Sequence, residues 1–218
     1  MLSKSIIGVV LGAAAFVGSA GSAMSAQITG FGTPGNDAAL VGAVVVDFET
    51  TLLGYFTSRS FGDLTISGDE HGHRLFASEN LPSASSSQNT TGRFINNPDQ
   101  STAFVFSFAA PVSAFAFNRG AGLVNWTLSA YAADGGLVET RTVPGTGNSN
   151  FGEYFGLSGP GIVRVVLSEP SGDTSIRIDN FSYVREAVAG VPEPAGWALM
   201  IMGFAATGFV ARRARAMA

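Results

Sequence analysis

The sequence predicts an all-β fold, an antiparallel β-sandwich flanked by two apolar ends. Short stretches rich in β-branched and aromatic residues recur about every ten residues, which is the spacing of strands in a sandwich. Turns rich in Gly and Pro separate these stretches. No stretch with helical periodicity longer than a few turns lies between the two ends, so a helical or α/β architecture is excluded.

Composition limits what the folded part can do. The chain has 218 residues and no cysteine, which indicates one domain without disulfides, thiol catalysis or zinc–cysteine sites. Between residues 27 and 191, eight arginines face fifteen acids, which gives a net charge of −7. A domain this acidic is not expected to bind nucleic acid or an anionic membrane non-specifically.

The N-terminus, residues 1–26, has the pattern of a signal peptide. Lys4 supplies the positive start, residues 6–17 form an apolar segment, and small residues follow it. We therefore expect export and cleavage by signal peptidase after Ala26, with Ala23 as the alternative position. An uncleaved signal anchor is the other interpretation.

The β-sandwich domain is expected to span residues 27–186. In its first half we predict an irregular segment over 27–44, strands over 43–48 and 64–67, and a mobile polar loop over 83–91. The second half is more regular. The predicted strands there cover residues 103–108, 112–118, 125–132, 137–143, 162–168 and 175–184. Asp134-Gly135 predicts a tight hairpin turn, because the favoured turns require positive φ angles that these residues adopt readily.

The C-terminus predicts a membrane anchor. A linker over 187–194 contains Pro192, Glu193 and Pro194, and an uncharged run over 195–211 is nearly long enough to cross a bilayer as a helix. A tail over 212–218 follows, with basic residues that should stay on the cytoplasmic side: Arg212, Arg213 and Arg215. An ordinary C-terminal anchor is the simplest interpretation of the apolar run.

The order of these features resembles the PEP-CTERM sorting signal in its PEPxxWA variant. The resemblance lies in the Pro192-Glu193-Pro194 triplet, the Trp197-Ala198 pair, the glycine-spaced span and the basic end. It implies that the tail holds an exported protein transiently in the inner membrane of a Gram-negative bacterium. Exosortase, a membrane transpeptidase, would then process the chain near the triplet. The product would reach the cell surface or extracellular matrix in association with exopolysaccharide, as in a biofilm.

The second half of the domain resembles exosortase-dependent surface proteins whose bodies are jelly-roll sandwiches. The resemblance covers residues 103–183 and is carried by Phe104–Phe108, Pro111–Phe117, Ala130-Tyr131 with Asp134-Gly135, and Ile178–Phe181. Jelly rolls of this kind resemble carbohydrate-binding modules, which often carry a structural calcium between their first and last strands. The resemblance therefore implies a jelly-roll-like sandwich.

Acidic residues at the first and last predicted strands suggest a calcium site. Asp47, Glu49 and Asp179 would supply carboxylate oxygens, the ligand type that Ca²⁺ prefers. The alternative is that they are ordinary surface or strand-end acids. A second cluster, 69–73, contains His71 and His73 and could hold a transition metal, although two solvated histidines are the simpler interpretation.

Aromatic residues are the remaining candidates for ligand binding. Five of them could form a platform for sugar rings: Trp126, Tyr131, Tyr154, Phe155 and Tyr183. Trp126 shares a strand face with Leu128, which places it in the core. Tyr131 lies on the opposite, more polar face and is the predicted ligand-binding residue.

Three classes of function remain open at this stage. The favoured one is a non-enzymatic exported protein of the envelope or matrix, and the alternative is a lectin-like carbohydrate-binding module. A polysaccharide hydrolase is less favoured, because no nucleophile elbow is present, although Asp47 and Glu49 could serve as paired carboxylates.

Overall fold

A computed structural model of the chain describes residues 24–69, 72–80, 90, 92–98, 102–145, 152–169, 171, 175–187, 200–205 and 212–213. Within these ranges the domain is built from β-strands and two short 3₁₀ turns, and all strand pairs are antiparallel. The predicted all-β, antiparallel fold class is confirmed.

Twelve strands are present in the described part of the chain. They are β1 Ala26–Phe31, β2 Val44–Val46, β3 Gly54–Phe56, β4 Ser58–Phe61, β5 Leu64–Ser67, β6 Leu75–Asn80, β7 Gly92–Asn96, β8 Ala103–Gly120, β9 Trp126–Ala132, β10 Leu137–Val143, β11 Glu153–Ser168 and β12 Arg177–Arg185. The 3₁₀ turns are Pro34–Asn36 and Ala38–Leu40.

The two longest strands, β8 and β11, pair with each other and run through both layers of the sandwich. Their ladder is regular on both sides of an irregular region between Ser158 and Arg164 of β11, within which Ile162 pairs with Val112 of β8. Such irregularities increase local twist and bend a strand pair. The pair divides into a part that uses residues 103–107 with 164–168 and a part that uses 114–118 with 154–158.

Each part of the β8–β11 pair is bordered by different strands. In the first layer the strand order is β4-β5-β8-β11-β9-β10. In the second layer the order is β1-β11-β8-β12, and the far edge of β12 pairs with β2 and with β7, which leads on to β6 and β3. One continuous sheet therefore supplies both layers.

The core lies between the layers and is rich in phenylalanine. The ring of Phe106, in the first layer, lies 6.0 Å from that of Phe117 and 4.8 Å from that of Phe181, both in the second layer. Phe108 and Phe115 make a further contact across the layers at 6.5 Å. All five are buried, and a buried phenylalanine contributes about 1.5–3 kcal/mol relative to an exposed one. This cluster holds the layers together in a chain without disulfides.

The start of the domain differs from the sequence prediction. Residues 27–44 were expected to be irregular, but they contain β1, the two 3₁₀ turns and the first residue of β2. One of the glycines that suggest a loop is needed for packing, because a Cβ on Gly30 would overlap the ring of Tyr154. Leu40 and Ile28 pack with Tyr154 in a second, smaller core on the outside of the second layer.

Several other strand boundaries need correction. Residues 103–108 and 112–118 were predicted as two strands separated by Pro111, but they form one strand, β8. The ladder to β11 skips residues 108–111, where Pro111 is exposed, and resumes at Val112. The strand predicted over 162–168 begins already at Glu153. Strands β3, β4, β6 and β7 were not predicted. The hairpin at Asp134-Gly135 is confirmed, with Gly135 at φ 83°.

The predicted terminal segments fall mostly outside the described residues. Residues 1–23, the Pro192-Glu193-Pro194 triplet, Trp197, Ala198 and Arg215 belong to the part that is not described, as does the loop over 83–89. Residues 200–205 are helical and exposed, as are Arg212 and Arg213. Within the described ranges, no helix has the length and apolar character needed to cross a membrane.

Candidate functional site

The outward surface of the first layer is rich in hydroxyl side chains. Inward positions on these strands carry buried residues such as Phe104, Leu128 and Leu167, so the intervening positions point outward. Ten of these outward positions are serine or threonine: Ser58, Ser60, Thr65, Ser67, Ser107, Thr127, Ser129, Thr140, Thr142 and Ser168. We call this surface the hydroxyl face.

The strand register aligns these side chains in rows across the layer. Ser129 lies opposite Thr140 of β10, and the hydroxyl oxygens of these two residues are 3.0 Å apart. On its other side Ser129 lies opposite Val166 of β11. Ser60 and Thr65 form a similar pair at 2.9 Å. The rows are regular because each strand pair exposes alternate residues at the same level.

A shallow pocket of about 240 Å³ lies on the hydroxyl face. Its lining comes from β8, β9, β11 and the segments that precede β6 and β8: Asp69, Thr102, Ala103, Val105, Tyr131, Arg164 and Val166. We call it the Tyr131 pocket. The predicted ligand-binding residue is therefore half-buried in the wall of a pocket, beside apolar and charged side chains.

Tyr131 and Arg164 lie side by side in the lining of the pocket. They lie directly opposite each other on β9 and β11, and the guanidinium carbon of Arg164 is 5.7 Å from the centre of the Tyr131 ring. This distance is within the range of a cation–π contact. The contact orients both side chains without consuming the hydrogen-bond donors of the guanidinium group.

Asp69 fixes the rim of the pocket. Its carboxylate accepts hydrogen bonds from the backbone N–H and Nδ1 of His73 and from the backbone N–H and Oγ1 of Thr102, at 2.7 to 3.3 Å. Desolvation by burial would raise the pKa of Asp69, but these hydrogen bonds outweigh it and lower the pKa to about 2. Asp69 is thus a charged anchor between the segment before β6 and the start of β8.

The predicted calcium ligands lie near one another in the second layer. Asp47 and Glu49 follow β2, and Asp179 is in β12, which pairs with β2. Asp179 is 1% exposed, and burial raises its pKa to about 8; the Asn180 N–H lowers it, and the charges of Glu49 and Asp47 raise it further. The three acids are therefore close enough to interact electrostatically.

The geometry does not assemble these acids into a metal site. Glu49 accepts a hydrogen bond from the backbone N–H of Arg93 at 3.1 Å, while Asp47 accepts one from the N–H of Glu49 at 3.2 Å. Within the described ranges, no group of three His, Asp or Glu side chains is placed to hold a metal ion. Calcium at Asp47, Glu49 and Asp179 stays a prediction. Of the second cluster, Glu70 and His71 lie outside the described residues.

The other predicted aromatic residues do not form a platform. Trp126, Tyr154, Phe155 and Tyr183 are all buried, and the assignment of Trp126 to the core is confirmed. The sequence interpretation missed Arg164, which could have been found only through the pairing of β9 with β11. Outside the pocket it also did not single out Tyr55, which is 49% exposed in β3, a segment with little periodicity.

Comparisons with known proteins found structural similarity but no family. Neither a scan against protein-family models nor a search of curated proteins gave a match. Similar solved structures include TmCBM61 in complex with beta-1,4-galactotriose, at a TM-score of 0.35 and 19% identity over 64% of this chain and 94% of that one. A family 29 carbohydrate-binding module from Piromyces equi gives a TM-score of 0.30 and 9% identity over 78% and 97%.

A similar enzyme is a glycoside hydrolase family 43 arabinoxylan arabinofuranohydrolase from Bacillus subtilis, in complex with cellotetraose. The TM-score is 0.33 and the identity 15%, over 51% of this chain. The match covers only 24% of the length of that enzyme. At TM-scores this low, the similarities do not bear on what this chain binds.

Proposed function

We propose that this chain is an exported, non-enzymatic protein that binds polysaccharide on its hydroxyl face. The observation that carries the proposal is the Tyr131 pocket, in which an aromatic ring and an arginine lie side by side on a surface of aligned hydroxyl groups. The pocket is open to solvent, so an internal sugar of a long chain can enter it without threading.

The chemistry of the surface suits a sugar. The C–H faces of a pyranose ring are apolar and pack on an aromatic side chain, whose phenolic oxygen remains available for a hydrogen bond. Serine and threonine hydroxyls both donate and accept, as sugar hydroxyls do, so either orientation of a bond is possible. Ser168 of β11 lies opposite Thr127 of β9, so hydroxyl groups outside the pocket can extend this recognition beyond one ring.

Substitution of Tyr131 tests the binding site. We expect Tyr131→Ala to weaken binding to the host's own exopolysaccharide at least about 10-fold, the equivalent of about 1.4 kcal/mol, and Tyr131→Phe to retain most of the affinity. The matched control is Tyr55→Ala, which removes an exposed tyrosine from the second layer. Affinity electrophoresis measures all three variants. Absence of wild-type binding, or equal loss in both alanine variants, would contradict the proposal.

Export and sorting form the second part of the proposal. Support comes from the signal-peptide pattern at the N-terminus and from the Pro192-Glu193-Pro194, Trp197 and Arg212 pattern that resembles a PEP-CTERM signal. The tail would anchor the protein in the inner membrane until exosortase processes it, and the domain would then reach the surface or matrix. Ser25 donates a hydrogen bond to Glu139, and Ala26 pairs with Ser158, which favours signal peptidase cleavage after Ala23.

The intact mass of the exported protein tests both ends. In cells with exosortase we expect a C-terminus between Pro192 and Pro194, and in cells without it a chain that retains residues 195–218. The same spectra give the N-terminus, which we expect at Met24. Full-length C-termini in both strains would rule out the sorting proposal while leaving the glycan-binding proposal intact.

A further inference from the structure

The guanidinium group of Arg164 is exposed and uncommitted. Most arginines of the domain use their donors on protein acceptors: Arg59, Arg93, Arg119, Arg141 and Arg185 each donate to a backbone carbonyl or a carboxylate. Arg164 contacts the ring of Tyr131, and within the described ranges it has no hydrogen-bond or ion-pair partner. Its planar set of donors faces solvent at the pocket.

The nearby carboxylate of Asp69 forms no ion pair with Arg164. Among the described residues, Asp69 instead accepts four hydrogen bonds from His73 and Thr102, which occupy its lone pairs. The other lining residues besides Thr102 are apolar or the phenol of Tyr131. Arg164 is therefore the charged residue of the pocket whose hydrogen-bonding groups are free for a ligand.

We propose that the glycan bound at the Tyr131 pocket is anionic, and that Arg164 pairs with the carboxylate of a uronic acid whose ring packs on Tyr131. This inference rests on the proposed glycan-binding function and assigns the class of sugar. A guanidinium group forms two parallel hydrogen bonds with a carboxylate, so it recognises both charge and planar geometry. The contact with Tyr131 orients the guanidinium group before the ligand arrives.

The net charge of the domain does not prevent this recognition. Residues 27–191 carry a net charge of −7, which repels a polyanion at long range. At physiological ionic strength the Debye length is about 8 Å, so distant charges are screened while a contact pair is affected less. Local pairing at Arg164 should therefore decide affinity, and moderate salt should reduce it only partly.

The test compares matched glycans and matched arginine variants. Polygalacturonate is titrated into the full chain by calorimetry beside its methyl-esterified form, which retains the rings and removes the charge, and beside a sulfated galactan. The variants are Arg164→Gln, Arg164→Lys and the control Arg74→Gln. Arg74 also lies over a tyrosine, Tyr55, at 4.3 Å, but in the second layer.

We expect the wild type to bind polygalacturonate about 10-fold more tightly than the esterified form, because only the free carboxylate accepts the paired, charge-assisted hydrogen bonds of Arg164. Arg164→Gln should remove this preference and Arg74→Gln should retain it. Arg164→Lys should restore part of it, since lysine keeps the charge but loses the planar pair of donors. A stronger preference for the sulfated galactan would identify sulfate as the anion and overturn the uronic acid assignment.

The outcomes separate this inference from the proposed function. Suppose that the wild type binds the charged and the esterified glycan with equal affinity and that Tyr131→Ala binds neither. That result would overturn the anionic preference and support the proposed glycan binding. No binding of any glycan by the wild type would overturn both. Circular dichroism of each variant confirms that the compared proteins are folded.

Discussion

Asp69 shows how one buried carboxylate can connect two segments at the Tyr131 pocket. Its side chain is 5% exposed, and it connects His73 in the segment before β6 to Thr102 just before β8. The pKa of about 2 means that the folded state favours the ionised form relative to the unfolded chain. The carboxylate therefore stabilises the fold above about pH 4, and this contribution is lost as the pH falls through about 2.

We expect Asp69→Asn to lower the free energy of unfolding by about 2 kcal/mol at pH 7 and to have a much smaller effect near pH 2. Urea denaturation of both proteins at several pH values gives the difference directly. Asp134→Asn is the control, because Asp134 lies in an exposed turn where asparagine can also accept the Gly136 N–H. A penalty for Asp69→Asn that does not change with pH would contradict the role of the charge.

Asp179 has the opposite electrostatic behaviour. Burial raises its pKa to about 8, with Glu49 and Asp47 adding to the effect, so in the absence of metal the folded protein keeps a proton there that the unfolded chain releases above about pH 4. We expect stability to fall as the pH rises from about 4 to about 8. Asp179→Asn should flatten this dependence in thermal melts with EDTA, and an equal slope in both proteins would contradict the assignment.

Binding of Ca²⁺ would be an alternative to protonation of Asp179 as a way to offset the negative charges of these three acids. If Asp47, Glu49 and Asp179 bind Ca²⁺, millimolar Ca²⁺ at pH 8 should raise the melting temperature of the wild type, because a ligand that binds only the folded state stabilises it. Asp179→Asn should remove the response, whereas Asp63→Asn, at an exposed ion pair with Arg185, should not. An unchanged melting temperature with EDTA and with excess Ca²⁺ would exclude the calcium prediction.

At the scale of elements, the pairing of β8 with β11 organises both layers. Gly156 makes this pairing possible, because a Cβ at that position would overlap the carbonyl oxygen of Phe115 on the facing strand. We expect Gly156→Ala to destabilise the protein by more than about 3 kcal/mol, since the overlapping atoms belong to Phe115 and Ala116 of β8, whose backbone cannot move aside without breaking the ladder. Ser158→Ala, a half-buried position on the same strand, should change stability by less than about 1 kcal/mol. Similar urea midpoints for the two variants would contradict this explanation.

The strands that could be predicted from sequence are those in which apolar and polar residues alternate. Phe104, Phe106 and Phe108 identify the buried face of β8. Trp126 and Leu128 identify the buried face of β9 in the same way. Strands such as β1 and residues 153–161 of β11 contain glycines that close contacts require, so their composition indicates loops. Their strand conformation comes from tertiary pairing, which overrides local propensity.

In the candidate site, too, some residues could be predicted from local alternation and others depend on tertiary pairing. Tyr131 could be placed on an outward face because its own strand alternates clearly. Its neighbour Arg164 belongs to a strand that β10 separates from β9 in the sequence, so only the register of β9 with β11 brings the two together. Asp69 could not be assigned, because its hydrogen-bond partner Thr102 is 33 residues away.

The whole molecule combines a folded domain with terminal segments that differ in character. The phenylalanine cluster joins both layers, and Phe181 of β12 contacts rings from both halves of β8. A single core of this kind should melt cooperatively. By contrast, the described tail residues 200–205 and 212–213 are exposed and contribute nothing to the buried core.

We expect removal of residues 188–218 to leave the melting temperature of the domain nearly unchanged. The last strand ends at Arg185, and Glu186 still bonds to β8 and β11 through the Pro111 carbonyl and the Gly161 N–H, so truncation after residue 187 keeps every described contact of the core. Calorimetry of the full and truncated chains in the same mild detergent measures the difference. A domain of this size shifts by about 2–4 °C for each kcal/mol. A larger fall would mean that the tail belongs to the folding unit, whereas an unchanged domain could be released near Pro192 without unfolding, as the proposed processing requires.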